Sequence, residues 1–566
     1  MVAGEPSMDR TRSLGALTEG TYDLLVVGGG VTGAGVAREA SLRGFRVALV
    51  EQGDFASGTS SRSTKLIHGG LRYLKQFDFK LVAEAVQERQ MLLQMAPHLV
   101  GATRFVFPVY RGDPDSLLAL RMGLLVYDLF ARLQAAVPHR ILGPRALRGY
   151  EPGLRDRDLV GGAVYTDSRT DDARLTLAVL ESATGYGAAV ANYAGLEGFL
   201  RLADGRLAGA RVHDQLSGHR LEVRAKRVLA AVGPWADAVR RLDDPAAPSI
   251  LRLTKGVHLT VAQDRLPLSN AVVMRGPDRD KRMMFAIPRG SFTYLGTTDT
   301  DFEGDPDTAT ADREDVEYIL AATNALFPGA TLTFADVVST WVGLRPLVRP
   351  PGHANPSAVS RDYEIFHSPS GLVSIGGGKL TAFRAMAEHV VDDLFPGSRG
   401  ARERAASRAA LPGAEGPLPT AADWNRLASN TNTRPERLRE WLALYGSQLP
   451  QVVSLLPVEA GDEPGLAWHR AMTRYAVEHE MAQRLEDVYR RRTGLMLFSQ
   501  HNGRAWVQPL AQEMAELLGW SPQRTAEEVR RMEAAIAAML AFREDTRTPE
   551  VSRAPVAAQQ QKSAAM

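Results

Sequence analysis

One stretch, residues 23–51, constrains the fold of this 566-residue chain more than any other. An apolar run stops at Gly28, and Gly28, Gly30 and Gly33 follow the pattern G-x-G-x-x-G. A periodic segment of small and apolar residues comes next, and a second apolar run then ends on Glu51. This order predicts a strand, a tight turn, a helix and a second strand, which is the context in which such glycines bind a dinucleotide.

Each glycine has its own physical role in such a turn. Gly28 permits the sharp turn, Gly30 lets backbone N–H groups approach a pyrophosphate, and Gly33 lets the helix pack against the strand. The N-terminus of the helix offers unpaired donors and a partial positive charge to phosphates. Glu51, about 20 residues along, lies where an acidic residue accepts hydrogen bonds from a ribose. Because Gly-rich turns are common, the flanking strands and the acid carry the interpretation.

The composition is that of a folded protein with several domains. A chain of 566 residues is too long for one core, and roughly three or four domains are expected. The formal net charge of +2 gives no support to nucleic-acid binding. The chain has no cysteine, which excludes disulfides, thiolate nucleophiles and cysteine-bound metals and suits a reducing cytoplasm. His, Asp and Glu residues do not show metal-ligand spacing, so no metal is predicted.

The two ends of the sequence are expected to lie outside the folded core. Residues 1–20 lack the apolar core of a signal peptide and are predicted to be a disordered extension, and residues 546–566 a disordered tail. No stretch reaches the ~20 uninterrupted apolar residues of a membrane span. The longest candidate, 117–137, is interrupted by Arg121, Asp128 and Arg132. Attachment to a membrane surface remains open, because it needs only an exposed apolar face.

A polar loop is expected directly after Glu51, over residues 53–73. The segment is rich in Gly, Ser and Thr, and loops of this kind carry function when a rigid scaffold positions them. Its hydroxyls and backbone N–H groups are suited to wrapping a cofactor. The alternative is a solvated linker, which the chemistry clustered at the end of the segment disfavours. That cluster contains His68, Gly69, Gly70, Arg72 and Tyr73.

Two further strand ends lead into small residues and a helix, as the first one does. The apolar run 228–232 ends at Gly233, and the run 372–375 leads into three glycines and Lys379. Two helix N-termini directed into one cleft suit a cofactor with a phosphate end and an electron-accepting end. After a Pro/Gly-rich linker at 411–419, almost all residues favour helix, which predicts a separate helical domain.

Together these residues resemble one family, the FAD-dependent, respiratory-type glycerol-3-phosphate dehydrogenases. Nine motifs in the family's order carry the resemblance, and they span residues 23 to about 384. They are Val26–Gly35, Lys65–Tyr73, Asp171–Leu175, Gly233–Trp235, Lys255–His258, Gly296–Asp299, Gly343–Pro346, Ser360–Tyr363 and Gly377–Thr381. No single motif decides the case, but nine in the same order are not expected by chance.

The resemblance implies an α/β fold with three parts: a Rossmann-type FAD-binding domain, an α+β substrate domain and a helical C-terminal domain. The FAD-binding domain is expected at about 21–110, 150–250 and 340–400. The substrate domain, interleaved with it, is expected at about 110–150 and 250–340, and the helical domain at 411–545.

The implied reaction oxidises sn-glycerol 3-phosphate to dihydroxyacetone phosphate. N5 of FAD would take the hydride from C2, and the electrons would pass on to a membrane quinone. The resemblance implies attachment to the cytoplasmic face of the membrane, and a homodimer is left open. The residues expected to bind FAD are Gly28, Gly30, Gly33, Glu51, Thr59, Ser60, Ser61, Lys65, His68, Gly69, Gly233, Gly377, Lys379, Leu380 and Thr381.

Oxidation of a secondary alcohol also requires a base for the hydroxyl proton. A group that titrates near neutral pH is favoured, and histidine is the usual choice. His258 and His68 are the candidates, since both lie inside matching motifs. His258 lies on a predicted strand, where a lone histidine often has only a structural role, so the base stays open between the two.

The substrate phosphate is a dianion and calls for cations with fixed geometry. Arginine suits it best, because its planar guanidinium binds two oxygens at once. Arg345 is the first candidate, Arg72 beside Tyr73 the second and Arg361 the third, and pairing with a surface carboxylate is the alternative for each arginine. Lys379, at a helix start after three glycines, is expected to stabilise negative charge on the reduced flavin, with a solvated lysine as the alternative.

Three other functions fit parts of this sequence. An oxidase that passes the same electrons to oxygen would carry the same flavin and substrate motifs. A flavoprotein that oxidises another hydroxy or amino acid would also use Arg345, to hold a carboxylate. A non-catalytic nucleotide-binding or assembly module is disfavoured, because it needs none of His68, His258, Arg345 and Lys379.

Overall fold

A computed structural model gives the arrangement of the chain. It describes residues 8–70, 79–130, 138–277, 282–349, 363–398, 400, 406–416, 420, 422–423, 426–427, 429, 435–456 and 464–544. The strands are β1 (Thr21–Tyr22), β2 (Leu24–Val27), β3 (Val47–Val50), β4 (Leu66–Ile67), β5 (Val100–Tyr110), β6 (Arg140–Leu142), β7 (Leu159–Thr170), β8 (Ala189–Ala191), β9 (Ala194–Arg201), β10 (Leu207–Asp214), β11 (Arg220–Ala225), β12 (Val228–Ala230), β13 (Leu251–Ala262), β14 (Ala271–Arg275), β15 (Met283–Arg289), β16 (Phe292–Gly296), β17 (Thr300–Phe302), β18 (Val337–Val348), β19 (Tyr363–His367) and β20 (Leu372–Gly377).

The α-helices are α1 (Arg10–Leu17), α2 (Val31–Leu42), α3 (Phe79–Met95), α4 (Leu117–Phe130), α5 (Pro144–Arg148), α6 (Asp172–Gly185), α7 (Ala236–Asp243), α8 (Arg313–Leu326), α9 (Phe383–Leu394), α10 (Pro435–Tyr445), α11 (Leu449–Ser454), α12 (Pro464–His479), α13 (Val507–Leu518) and α14 (Pro522–Ala538). A π-helix spans Asp487–Arg492, between α12 and α13.

The first domain has three layers around a six-stranded sheet in the order β19-β20-β12-β2-β3-β8. Neighbouring strands are parallel except at β19, which is antiparallel to β20. In β2, Leu24 and Val26 pack with helices α2, α6 and α9, whereas Leu25 and Val27 pack with a four-stranded sheet. That sheet has the order β1-β11-β10-β9. Because β2 is buried on both faces, its sequence is an unbroken apolar run.

The second domain is built on a ten-stranded sheet in the order β17-β13-β16-β15-β14-β5-β7-β4, with β18 on β13 and β6 on β7. One face packs against α8, where Val257 and Leu259 join a cluster with Val316 and Ile319. The opposite face packs against the C-terminal helices. The sheet therefore lies between α8 and the main C-terminal helices, while Phe542, near the end of the described chain, packs on the α8 side.

The C-terminal part is helical, with its own small apolar cluster. Trp441 of α10 stacks on Trp468 of α12, with ring centroids 3.7 Å apart. These three parts confirm the predicted fold class, an α/β first domain with an α+β second domain and a helical C-terminal domain.

Several segments differ from the sequence-based expectation. Residues 10–17, expected to be disordered, form helix α1, because Asp9 caps its first turn and Arg10 forms an ion pair with Asp214. The expected boundaries place β4, β5, β7 and most of β18 in the first domain, but all four strands belong to the ten-stranded sheet of the second domain. The tail 546–566 lies outside the described residues.

Candidate active site

A cavity of about 530 Å³ lies where the carboxyl ends of β2, β12 and β20 face the ten-stranded sheet. Open α/β sheets bind ligands at this edge. Gly28, Gly233 and Gly377, each at or just beyond one of these strand ends, line the cavity on one side. His258 of β13 and Arg345 of β18 line it on the other side. The predicted motifs thus converge from distant parts of the chain.

The glycine turn forms one end of the cavity. Gly28 has a φ of +110°, and a Cβ there would lie 2.5 Å from the carbonyl oxygen of Ala231. A Cβ on Gly33 would lie 1.9 Å from the carbonyl oxygen of Gly28, so α2 packs this closely on β2 only with glycine. Gly30 and Val31, at the N-terminus of α2, line the cavity. The helix therefore offers its partial positive charge to an anion there.

Glu51 lies beside this turn, and its carboxylate holds the backbone in place. It accepts hydrogen bonds from the N–H of Gly29 at 2.7 Å and of Gly53 at 2.8 Å. Burial raises the pKa of Glu51 above its usual value, against the two backbone hydrogen bonds. A carboxylate has about four acceptor positions, so two remain for a ribose hydroxyl.

The segment after Glu51 contributes only part of the expected set. Thr59 and Ser60 line the cavity, and the Ser60 hydroxyl accepts a 2.9 Å hydrogen bond from the Val31 N–H. Ser61, Lys65 and Gly69, also expected to bind FAD, do not line it. The Lys65 ammonium turns away to a buried ion pair with Asp172. The Gly69 N–H donates to the Tyr127 hydroxyl at 2.9 Å.

His258 is held at the wall of the cavity by two contacts. Its ring stacks on Trp341, with centroids 4.8 Å apart, and its Nε2 lies 2.9 Å from the Thr64 hydroxyl. Only 2% of the residue is exposed. Burial, with a smaller contribution from the Arg345 and Lys65 charges, holds the pKa of His258 well below its usual value. The ring is therefore neutral at physiological pH and can accept a proton.

Arg345 forms a cationic group at the same wall together with Arg282. The Arg345 guanidinium donates to the Asp299 carboxylate at 3.0 Å and to the Thr297 hydroxyl at 3.1 Å. Arg282 donates to the backbone carbonyl of Asp299, and both arginines line the cavity. Asp299 thus holds two guanidinium groups side by side.

The loop after β20 supplies the remaining expected residues. Lys379 donates from Nζ to the carbonyl oxygen of His68 at 2.6 Å. Thr381 accepts from the His68 N–H at 3.2 Å, and Leu380 lies between them at the cavity wall. This loop and the 66–70 segment are therefore joined, and His68 lines the cavity beside Lys379. Arg72, Tyr73 and Arg361 lie outside the described residues.

The lining side chains that sequence reasoning missed include Arg282, Asp167 and Thr64. Asp167 accepts hydrogen bonds from Tyr127 at 2.9 Å and from Arg89 at 3.0 Å, and burial raises its pKa. No motif marks Arg282 or Asp167 in the sequence, because only the strand order of the ten-stranded sheet brings them to the cavity. Thr64 lies in the predicted loop, so its hydroxyl is a signal that could have been used.

The cavity fits a dinucleotide with two different ends. One end has the glycine turn and a helix N-terminus, and the other has cations and a neutral histidine. Among the described residues, the buried Trp235 Nε1 and His258 Nδ1 have no hydrogen-bond partner within the protein. Buried polar atoms of this kind usually find partners, so unpaired ones at a cavity indicate a ligand. Described His, Asp and Glu side chains do not gather into a group that would hold a metal ion.

Comparison with known proteins agrees with this geometry. The family profile described as FAD dependent oxidoreductase matches residues 23–384, and the one described as C-terminal domain of alpha-glycerophosphate oxidase matches residues 405–525. The aerobic glycerol-3-phosphate dehydrogenase of Bacillus subtilis (strain 168) is 37% identical over 533 residues, which cover 91% of this chain and 95% of that protein. The Staphylococcus saprophyticus protein of the same name is 36% identical and covers 89% and 92%.

The fold agrees with a solved structure as well. The glycerol-3-phosphate dehydrogenase from Bacillus halodurans, complexed with FAD, superimposes with a TM-score of 0.78 at 33% identity, covering 95% of this chain and 99% of the other. The L-alpha-glycerophosphate oxidase from Mycoplasma pneumoniae, with a TM-score of 0.52 at 19% identity, shares the fold over 66% of this chain and 95% of its own. The chain therefore belongs to the FAD-dependent oxidoreductases and, within them, to the family of the aerobic glycerol-3-phosphate dehydrogenases.

Proposed function

We propose that this enzyme oxidises sn-glycerol 3-phosphate to dihydroxyacetone phosphate and passes the electrons through FAD to a membrane quinone. The observation that carries the proposal is the convergence of His258, Arg345 and Lys379 on the wall of one cavity, opposite a dinucleotide-binding turn. An alcohol with a phosphate needs a base, an anion site and an electron acceptor in one place. FAD, when bound, supplies the acceptor for the hydride from C2.

Arg345 and Arg282 bind the substrate phosphate in this proposal. Their guanidinium groups meet at Asp299, whose side chain is 4% exposed. Guanidinium groups bind phosphate oxygens in pairs, with hydrogen bonds that are stronger than neutral ones. Without substrate, Asp299 balances the two positive charges, and a phosphate dianion takes over part of that role when it binds.

His258 takes the hydroxyl proton of the substrate at Nε2. The Thr64 hydroxyl, which lines the cavity, lies 2.9 Å from this nitrogen. This contact supports the proposal that Nε2 can also reach a substrate hydroxyl in the cavity. Stacking on Trp341 fixes the plane of the ring, so the nitrogen is oriented before substrate arrives. His68 contacts the Lys379 loop through its backbone, which supports a role in holding that loop rather than in accepting a proton.

Lys379 places a positive charge at the electron-accepting end of the cavity. Its Nζ is held by the His68 carbonyl oxygen at 2.6 Å, so the ammonium group has a fixed position. A fixed cation stabilises charge that develops during reduction of the cofactor, because it needs no reorganisation at that moment.

Helix α4 provides a surface that suits membrane attachment. Its outer side carries four large apolar side chains at positions i, i+4, i+7 and i+11, which share one helix face: Leu118 (69% exposed), Met122 (54%), Leu125 (46%) and Leu129 (68%). Single exposed leucines are common, but a contiguous row of this kind indicates a partner. We name this row the α4 apolar face. We assign it to the boundary between headgroups and acyl chains in the cytoplasmic leaflet of the membrane.

The inner side of α4 connects this surface to the cavity. Leu120, Leu124 and Tyr127 are buried, and the Tyr127 hydroxyl contacts both the Gly69 N–H and Asp167 at 2.9 Å. Asp167 lines the cavity, so one helix separates the α4 apolar face from the cofactor site. This short separation supports a quinone in the bilayer as the electron acceptor. In the described ranges no helix has the length and apolar character to cross a bilayer.

The test is anaerobic reduction of the flavin in the purified protein. Addition of sn-glycerol 3-phosphate should bleach the flavin absorbance, whereas glycerol and L-lactate should leave it unchanged at the same concentration. A short-chain quinone should then restore the absorbance within the turnover time. Full flavin content without bleaching by sn-glycerol 3-phosphate would rule out the proposed substrate.

A second candidate is an oxidase, because residues 405–525 match a domain described for alpha-glycerophosphate oxidase. An oxidase would return to the oxidised state with air alone and would form one peroxide per substrate. Fast reoxidation by quinone with slow reoxidation by air would favour the dehydrogenase instead.

A further inference from the structure

A buried ion cluster joins the C-terminal domain to the first domain behind the cavity. It contains three carboxylates and three guanidinium groups: Asp54, Glu480, Asp487, Arg174, Arg491 and Arg492. None of these residues is more than 6% exposed. Charges this deeply buried persist only with partners, and the numbers of positive and negative groups are equal. We call this set the interdomain ion cluster.

Asp54 is the member that belongs to the cofactor-binding segment. Its carboxylate accepts from Arg491 Nε at 2.5 Å, from both terminal nitrogens of Arg492, and from the Asn192 amide at 3.0 Å. The two arginines lie more than 430 residues further along the chain. The C-terminal domain therefore holds Asp54 through a bidentate contact from Arg492 and a further contact from Arg491. A bidentate contact is stronger and more directional than a single charge pair.

The backbone around these arginines is of a rare type. Asp487–Arg492 form a π-helix, closed by a 3.0 Å hydrogen bond from the Thr493 N–H to the Val488 carbonyl. In the π-helix, Arg491 and Arg492 both reach Asp54. Such helices are frequently found at functional sites.

The front of the same segment faces the cavity. Residues 51–60 contribute six residues to the cavity wall, namely Glu51, Gln52, Ser57, Gly58, Thr59 and Ser60. Asp54 lies between them in sequence, is 2% exposed and points to the opposite side. The segment contains no β-strand or α-helix of its own, so its shape depends on contacts such as that of Asp54.

We propose that Arg491 and Arg492 are positioning residues for FAD: by holding Asp54, they fix the shape of residues 51–60, so docking of the C-terminal domain sets the affinity for the cofactor. The coupling works in both directions. If the docked domain favours FAD binding, then bound FAD must favour docking by the same factor. The C-terminal domain would thus raise the affinity for FAD without contacting the cofactor.

The charges of the cluster agree with this role. Burial alone would raise the pKa of Asp54, but the guanidinium groups of Arg492 and Arg491 hold it below its usual value. Asp54 is therefore ionised whenever the two domains are docked. Without the arginines, the buried Asp54 carboxylate would keep only the Asn192 amide and no positive charge as a partner, and residues 51–60 would rearrange to bring it to water.

Arg492→Met in the full-length holoprotein tests the proposal through FAD affinity. We expect the FAD dissociation constant, measured from the fluorescence of released flavin on dilution, to rise about tenfold or more, within the usual range for coupled sites. Asp54→Asn should give a rise of similar size. Arg492→Lys keeps the charge but not the bidentate contact, so its FAD dissociation constant should lie between those of the wild type and Arg492→Met.

The control is Arg43→Met. Arg43 is equally buried and pairs with Glu39 and Asp392 at the ends of α2 and α9 that lie away from the cavity. Its loss should lower the melting temperature with a less than twofold change in FAD affinity. Unchanged FAD affinity in Arg492→Met, or an equal loss in Arg43→Met, would overturn the proposal.

Deuterium exchange of the wild-type protein gives a second readout that needs no variant. FAD added to the cofactor-free full-length chain should slow exchange in residues 480–492, although these residues do not line the cavity. This result is expected even if Arg492→Met fails to fold. Exchange in residues 480–492 that does not respond to FAD would contradict the coupling.

Discussion

At the scale of single residues, His258 shows how surroundings change the chemistry of a side chain. A lone histidine on a strand is most often structural, and the stacking on Trp341 alone would fit that role. Two further facts distinguish it: Nε2 meets the Thr64 hydroxyl at the cavity, and Nδ1 is buried without a partner. A ring held in this way has a fixed orientation, with Nε2 placed to accept a proton at the cavity.

We expect His258→Gln to lower kcat by about 10²–10⁴-fold while FAD stays bound, which is the usual contribution of a general base. Burial lowers the pKa of His258, so the ring of the free enzyme stays neutral down to a pH below 6.5. The acid limb of kcat/KM should therefore lie below pH 6.5 in the wild type and be absent in the variant. An acid limb above pH 6.5, or full activity of His258→Gln, would contradict the role of base.

Arg345→Ala should raise KM for sn-glycerol 3-phosphate by about 100-fold or more, because loss of one partner of a buried charge pair typically costs about 3–5 kcal/mol. The measurement is steady-state kinetics with an artificial acceptor, together with the flavin content of the protein. Arg252→Ala is the matched control, since Arg252 pairs with Asp301 nearby but does not line the cavity. Loss of FAD from Arg345→Ala would show that the residue supports the cofactor instead.

The motifs predicted well which segments of the chain reach the cavity. They predicted less well whether each side chain within a motif points into it. Gly28, Thr59, His258, Arg345 and Lys379 all line the cavity. Lys65 belongs to the same motif as His68, yet its ammonium group pairs with Asp172 in the protein interior. Its φ of +57° turns the chain there, and such a local turn is not visible in the residue pattern.

At the scale of helices and strands, prediction succeeded where an element is formed by neighbours in sequence. The β2–α2–β3 unit is continuous over 23–51, and its glycines and apolar runs are sufficient to define it. The ten-stranded sheet is different, because its strands come from residues 66–348 in a mixed order. The position of Arg282 beside Arg345 depends on that order, so no local pattern could show it.

The α4 apolar face makes the membrane proposal testable at the level of one helix. We expect the combined change Leu118→Gln, Met122→Gln, Leu125→Gln and Leu129→Gln to weaken binding to phospholipid vesicles by at least about 100-fold, since burial of each such side chain contributes about 1.5–3 kcal/mol. Vesicle co-sedimentation measures this, and anaerobic flavin bleaching should stay normal.

The matched control for the α4 apolar face is Tyr186→Gln with Leu202→Gln. Both residues are large, apolar and more than 40% exposed, but they lie on other surfaces. This variant should bind vesicles like the wild type. Equal loss of vesicle binding in the control would mean that general hydrophobicity, and not α4, mediates attachment.

At the scale of the whole molecule, the C-terminal domain is joined to the other domains by buried polar contacts as well as by apolar packing. The ten-stranded sheet supplies the apolar contact. The interdomain ion cluster and a hydrogen bond between Glu181 of α6 and Gln448 are among the polar contacts. These contacts join residues that are far apart in sequence, so pattern reasoning predicted a helical domain but not how it docks.

The Glu181 contact makes domain docking sensitive to pH. Burial, and to a smaller extent the nearby Glu480 charge, raises the pKa of Glu181 to about 8, whereas the usual value is 4.5. The folded protein therefore keeps this proton between pH 4.5 and 8, while the unfolded chain loses it. Stability from this group is complete below pH 4.5 and falls as the pH rises to about 8, because the folded state then binds more protons than the unfolded state.

Glu181→Gln removes the titration but keeps the hydrogen bond from Gln448, since an amide oxygen accepts it equally well. The melting temperature of the variant should exceed that of the wild type by roughly 2–5 °C at pH 8.5, a size typical of a gain of one or two kcal/mol in a large chain. The difference should be much smaller at pH 5, because Glu181 stays protonated in the folded protein and pH 5 lies only slightly above the usual pKa of 4.5, so little of the stability has been lost there. Glu364→Gln, at an exposed position on β19, should show no such dependence on pH. A stability difference that is equal at pH 5 and pH 8.5 would mean that Glu181 is ionised in the folded protein, with Gln448 and Arg174 compensating its charge.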